Sequence, residues 1–191
     1  PSRPQDELKR SHRLSSFTRV DANLSPRHSL LGAVGLFPAR ATQANLGTFT
    51  PPDAAVDMKG NVSTVGITER ALWSENLFTE TTIEAHRYTT DVMPRGPAAM
   101  ELLPETTLGN FFNRQHRETS TLQLIESASG SAHGPGGLHL YKAGVDVLRS
   151  RYSGQSRSRT VLIRRSDGSL ARTLEFPAVS TTQAQESTDV A

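Results

Sequence analysis

Between Gly137 and Gly154 the chain reads GLHLYKAGVDVLRSRYSG, a long run without proline whose side chains alternate in character. Tyr141, Ala143, Val145 and Val147 fall in one phase, and Lys142, Gly144, Asp146 and Ser150 in the other. Successive side chains of a β-strand point to opposite faces, so the stretch predicts a strand with one apolar and one polar face. Its length is the constraint. Strands of soluble sheets run to about 5–6 residues, whereas a tilted barrel strand needs about 9–11 to cross a bilayer. The expectation for the chain is therefore the wall of a transmembrane β-barrel.

Composition fits that expectation. Apolar residues make up 35% of the chain, below the roughly 45–50% of globular domains. A net charge of only +2 and plentiful alternation argue against disorder. A barrel around a polar lumen needs apolar residues only where it meets lipid. The absence of cysteine excludes disulfides, thiol catalysis and cysteine-bound zinc. The longest apolar run, from Leu30 to Phe37, is far shorter than the ~20 residues of a membrane-spanning helix, which barrels do not use. A sequence pI near 9.3 gives a slight preference for anionic partners. With Pro1 first and an alternating run still open at Ala191, the chain is expected to be an internal piece of one barrel domain.

Taken in order, residues 1–13 read as loop, with Pro1 and Pro4. Residues 14–24 and 29–37 alternate around the turn Ser25-Pro-Arg-His28, and the second strand is expected to stop at Pro38 because proline cannot donate to a ladder. A long connection with Pro51 and Pro52 follows, then strands near residues 62–73 and 77–88 joined by the brief Ser74-Glu-Asn76. A second long connection is expected over residues 89–118, then a strand at 119–129, a glycine-rich turn and the strand from Gly137. Beyond Gly154 lies a third long connection, within which Asp167-Gly168 predicts a small hairpin, and a last strand opens near Thr182. The connections thus run short, long, short, long, short, long. An up-and-down meander puts odd and even turns on opposite sides, and outer-membrane barrels keep short turns on one side and long loops on the other.

Trp73, Phe78 and Tyr141 fall near the short-turn ends, and Phe37, Tyr88 and Tyr152 near the long-loop ends, as two aromatic girdles would. Parity disagrees in places. Phe78 and Tyr88 share the phase of Glu80 and Glu84, and Glu69 shares that of Val65, Ile67 and Trp73. A β-bulge would restore the phase.

The segments Ser16-Phe-Thr-Arg-Val-Asp-Ala-Asn-Leu-Ser-Pro-Arg-His28, Gly109-Asn-Phe-Phe-Asn113 and His139-Leu-Tyr-Lys-Ala-Gly-Val-Asp146 resemble barrel hairpins of TonB-dependent outer-membrane receptors. The likeness is greatest to large members with an added N-terminal carboxypeptidase-regulatory-like domain. It spans nearly the whole chain and rests on loose strand patterns. The resemblance implies an all-β, antiparallel up-and-down meander, about seven or eight strands of a plugged barrel of about 22. It implies a bacterial outer-membrane location and active uptake of a scarce nutrient. Partners would be lipid, the receptor's own plug and remaining strands, and the TonB complex through segments outside this chain, with no nucleic acid. Plug and closing strand are not in these residues, so the energy-coupling positions of the family map onto none of them. A secreted β-rich binding module, such as an adhesin sandwich, and a passive porin are the alternatives.

Motifs for chemistry are few. The six histidines, His12, His28, His86, His116, His133 and His139, show no metal-site spacing and no clustered carboxylates, so neither metal nor cofactor is expected. No nucleophile elbow occurs, and Gly134-Pro-Gly-Gly137 lacks the Lys-Ser/Thr and helix of a phosphate loop. An enzyme is the least expected reading. Two groups suit binding. Phe111, Phe112, Arg114, His116 and Arg117 share one predicted external connection, where rings and cations would take an anionic or aromatic solute, or the rings would staple the loop to its neighbours. Arg19, Asp21, Glu84, His86, Lys142 and Asp146 share the polar phase and would line the lumen, as a path or as hydrogen-bonding contacts to a plug.

Overall fold

The computed structural model describes residues 9–177 and 181–190. The chain is all-β. Its strands are β1 (Arg10–Arg13), β2 (Ser16–Ser25), β3 (His28–Thr42), β4 (Val56–Ser74), β5 (Leu77–Pro94), β6 (Met100–Leu102), β7 (Thr107–Leu108), β8 (Asn113–Gly134), β9 (Gly137–Ser158), β10 (Val161–Arg164), β11 (Leu170–Leu174) and β12 (Thr181–Val190). One large antiparallel sheet runs in the order β1, β3, β4, β5, β8, β9, β12, with β2 continuing the β1 edge along β3. No strand closes it among the described residues, so β1 with β2 forms one edge and β12 the other.

The two-residue turns 26–27, 75–76 and 135–136 lie at one end of this sheet, and the connections over 43–55 and 95–112 and the one that leaves β9 after Ser158 at the other. Ser25 and Ser74 close the first two turns by accepting backbone N–H bonds through Oγ, from Arg27 at 3.2 Å and from Asn76 at 3.2 Å. The third turn is Pro135-Gly136, where proline presets φ and Gly136 takes φ +96° without a Cβ penalty.

Strands are longer than the alternation suggests: β3 has 15 residues, β4 19, β5 18, and β8 and β9 22 each. Apolar alternation marks only the stretch where one face is greasy. The ladder continues beyond it toward the long connections, where the strict alternation of apolar and polar side chains is lost, as at Asp91-Val92-Met93. Residues 89–94 and 113–118 toward the long connections, and 130–134 toward the short turn, all expected as loop or turn, are strand. Arg10–Arg13, also expected as loop, pairs with Ala39–Thr42, while residues 1–8 lie outside the described residues. Pro38 does not end β3. Its carbonyl accepts Leu14 N–H at 3.0 Å, so its missing N–H also faces the β1/β2 edge, and the break between those strands sits there. The β4 side keeps its pairing, Pro38 to Asn61.

Directly paired residues share a face, so register reads across the sheet as rows. One row is Val20, Gly32, Ile67, Ile83, Leu124, Val147 and Val190. The next toward the long connections holds Val34, Val65, Ala85 and Leu122. These side chains are open to solvent: Ile67 is 53% exposed, Ile83 50% and Leu122 52%. Leaving a large aliphatic side chain uncovered forgoes about 1.5–3 kcal/mol, so this face needs an apolar covering. The row toward the short turns is interrupted by Glu69 and Glu126, each facing Thr81. Glu69 accepts from His28 at 3.1 Å, and Glu126 accepts from the Thr81 hydroxyl. No bulge restores their phase. The register shifts lie at the hairpin ends, between Asn23 and Ser25 and between Leu72 and Ser74, where Trp73 is the extra residue.

The long connections are not structureless. β6 and β7 from one and β10 and β11 from another form a second, four-stranded sheet, with β6 parallel to β10 and Asp167-Gly168 in the β10–β11 hairpin. The connection at 43–55 joins this cap through Asn110, whose Nδ2 donates to Asp53 O at 2.7 Å and whose Oδ1 accepts Ala98 N–H at 3.0 Å. Ala54, Ala55, Thr107, Asn110 and Val161 are buried here, with Val56 and Asn113 at the ends of β4 and β8 that meet the cap, whereas elsewhere in the large sheet Ala71, near the short turns, is the buried side chain among those described.

Candidate functional site

The register gathers aromatics on the polar face, opposite the Ile67 row. Phe37, Val62, Tyr88, Thr119 and Tyr152 form one row, with rings on β3, β5 and β9 and smaller side chains between them. Phe37, Tyr88 and Tyr152 therefore do not belong to a girdle on the apolar face, and this resolves the parity conflict. Phe37 lies across Gly35 and Tyr152 across Gly154: a Cβ at either glycine would come within 2.7 Å or 2.8 Å of the ring or its hydroxyl. Rings laid along the wall in this way present their faces, and Tyr88 is 46% exposed. Of the three aromatics expected near the short-turn end, Trp73 and Tyr141 take the apolar phase and Phe78 does not. Trp73 packs edge-on against His28 at 5.6 Å and donates Nε1–H to Thr79 at 2.9 Å, on the apolar face. Phe78 instead pairs with Leu72 and Ser129, in the polar phase.

Above the aromatic row lie Arg13, Ala39, Gly60, Thr90, Arg117 and Gly154. The small side chains in its middle leave a hollow of about 580 Å³ whose lining includes Arg13, Ala39, Gly60, Tyr88 and Thr90. Arg13 at one end and Arg117 at the other have no acidic partner among the described residues. The arrangement offers ring faces, small-residue space and cations on one wall.

Arg19, Asp21, Glu84, His86, Lys142 and Asp146 all lie on this same face. Most are engaged locally. Arg19 pairs with Asp21 at 2.8 Å, Glu84 meets His86 at 3.3 Å, and Gln123 donates to both oxygens of Asp146 at 2.9 and 2.8 Å. Lys142 stands toward the short turns, in the row of Phe78 and Ser129.

The five residues expected on one external connection are separated. Only Phe111 and Phe112 precede the strand, and Phe112 stacks on Phe176 at 5.4 Å, which staples two connections together. Arg114, His116 and Arg117 lie on β8. Arg114 and His116 share the phase of Leu122, Arg117 takes the opposite face, and His116 Nδ1 meets Asp91 at 2.8 Å. Arg114 and Arg117 therefore cannot close on one solute together. The histidines also differ from expectation, since His28, His86 and His116 each meet a carboxylate. These are pairs only, and no group of three metal-binding side chains occurs among the described residues.

In the cap, Arg164 donates to Glu101 across β10 and β6, and this hydrogen bond holds the carboxyl below its ordinary range. The Asp167 carboxyl is likewise lowered by its hydrogen bonds from Ser169. Both are structural ties. The sequence groups Phe37, Tyr88 and Tyr152 near the long-loop ends, but only register puts them in one row on the polar face, beside Arg13. The two-residue turns would have supplied it, but for the one-residue shifts beside two of them. No family model, curated protein or solved structure matches this chain.

Proposed function

We propose that this chain forms part of the wall of an outer-membrane β-barrel of the TonB-dependent receptor kind, supplying strands and outer loops for the active uptake of a solute. The observation that carries the reading is the order of the connections: two-residue turns at one end of an unbroken antiparallel meander and long, folded connections at the other. The apolar face supports it. From Ala85 to Leu77 on β5 is eight residues, roughly 20 Å of height at about 3.3 Å each and 40° of tilt, near the ~25 Å apolar band of such barrels. The polar face would line the lumen, and the hollow beside Tyr88 would meet the solute near the outer opening.

The chain has no cysteine, so single cysteines report cleanly on each face. In the membrane-inserted chain, cysteine at Ile83 or Leu124 should resist a water-soluble maleimide, while cysteine at Glu84 or Gln123 should react. Equal labelling of both phases would reject the barrel wall. One observation favours the second reading, a secreted β-rich binding module: Glu69 and Glu126 stand within the apolar face, where lipid disfavours charge.

A further inference from the structure

We infer that Arg114, Arg157 and Arg159 form a binding site for a phosphate- or sulfate-type oxyanion carried by a water-borne molecule. Arg114 and Arg157 stand directly opposite each other on β8 and β9. Like charges at a facing cross-strand position repel, and neither has an ion-pair or hydrogen-bond partner among the described residues. The carboxylates around them are engaged elsewhere. Asp91 meets His116 at 2.8 Å, Glu118 accepts from Arg87 at 3.0 Å, and Asp57 accepts Gln43 N–H at 3.1 Å and stands 4.0 Å from Arg95. Arg159 approaches from just beyond β9, steadied by donating Nη2–H to Phe111 O at 2.9 Å. That bond leaves most of its five donors unused.

The three arginines line one hollow of about 370 Å³, completed by Met93, Pro94 and Gly96. Several forked donors around one space match a tetrahedral oxyanion, which accepts two bonds from each fork and removes the repulsion between its hosts. Height decides the source of the anion, and this step alone rests on the barrel reading. Arg114 lies eight residues beyond Leu122, the last of the apolar rows on β8, roughly 20 Å above it at 3.3 Å per residue and 40° tilt. Headgroups extend only about 5–7 Å beyond the hydrocarbon. A phospholipid phosphate falls short of that height, and a phosphate or sulfate ester on a soluble molecule or extended glycan reaches it.

The test uses the full chain in detergent micelles, with thermal unfolding in inorganic phosphate against chloride at matched ionic strength. Phosphate should raise the midpoint by about 3–6 °C, as a ligand near tenfold above its dissociation constant does for a chain of this size. Arg157→Gln, which relieves the repulsion, should unfold no earlier than the parent in chloride and should lose the phosphate gain. Phosphate ³¹P line broadening on the unmodified chain gives a second readout that does not depend on a variant folding. No phosphate-specific shift or broadening, or a gain retained in Arg157→Gln, would overturn the site. A shift produced by phosphatidylglycerol vesicles but not by free phosphate would overturn the water-borne source. Since the anion readout needs no membrane, it stands apart from the maleimide test of the barrel wall.

Discussion

The large sheet and the cap are built on opposite terms. The sheet holds the long strands and nearly all of the ladder hydrogen bonds, yet its apolar rows lie open, with Val34 43% and Leu124 40% exposed. The cap holds short strands, yet most of the buried side chains among the described residues lie in it or at the strand ends that meet it. A soluble domain concentrates burial where its strands are longest. This chain reverses that, and the difference teaches where each region's covering comes from. The cap and the strand ends that meet it are covered by Val56, Val161 and Asn110, whereas the sheet's apolar rows have no covering among the described residues. Lipid is the covering we propose.

The comparison breaks first at Gly109. It sits in the cap at φ +72°, and an added Cβ would lie 1.8 Å from Ala99 O, so both backbone strain and a clash oppose Gly109→Ala. We expect a loss of about 2–4 kcal/mol, seen as faster hydrogen exchange at residues 100–108 and 161–174. If the two regions are independent, amides of β4 and β5 keep their protection. Equal loss in both would show a single cooperative unit.

Glu126→Val sharpens the other side. On a lipid face, removing the carboxylate should stabilise the inserted chain by about 1–2 kcal/mol, read as a later urea midpoint in bilayers. On a water face the same change enlarges an apolar patch and promotes aggregation. The sign separates the two proposed readings.

The smallest effect is electrostatic. The Glu101 carboxyl is depressed below its ordinary value of 4.5 by Arg164, so the folded cap binds fewer protons than the unfolded chain. The stabilisation is complete above that value and is lost as pH falls through the depressed one. Cap protection should weaken on acidification below about pH 4.5, and Glu101→Gln should flatten that dependence. Solvent screening keeps the effect small.

Much of the sheet was legible in the residues themselves. Alternation around Ile83, Leu124 and Val147 marks strands because the pleat has period two, and Ser-Pro-Arg-His, Ser-Glu-Asn and Pro-Gly mark turns through their own local chemistry. The shared face of Arg19 with Asp21, of Glu84 with His86 and of Lys142 with Asp146 follows from the same parity within each strand. The candidate site was less legible. Arg114 and Arg117 are close in sequence, and only the extension of β8 down to Asn113 sends them to opposite faces.

What the sequence determined alone is the period, the turns and the two-faced character of each strand, since these depend on neighbours a few residues away. Only the tertiary structure decided register, and register decided everything that lies across strands: the Phe37–Tyr88–Tyr152 row, the facing Arg114 and Arg157, and Glu69 within the apolar face. It also decided the cap, where β6 pairs with β10 across some sixty residues of chain. Such pairs join segments whose closeness is set by where the long strands end, and no local pattern carries that information.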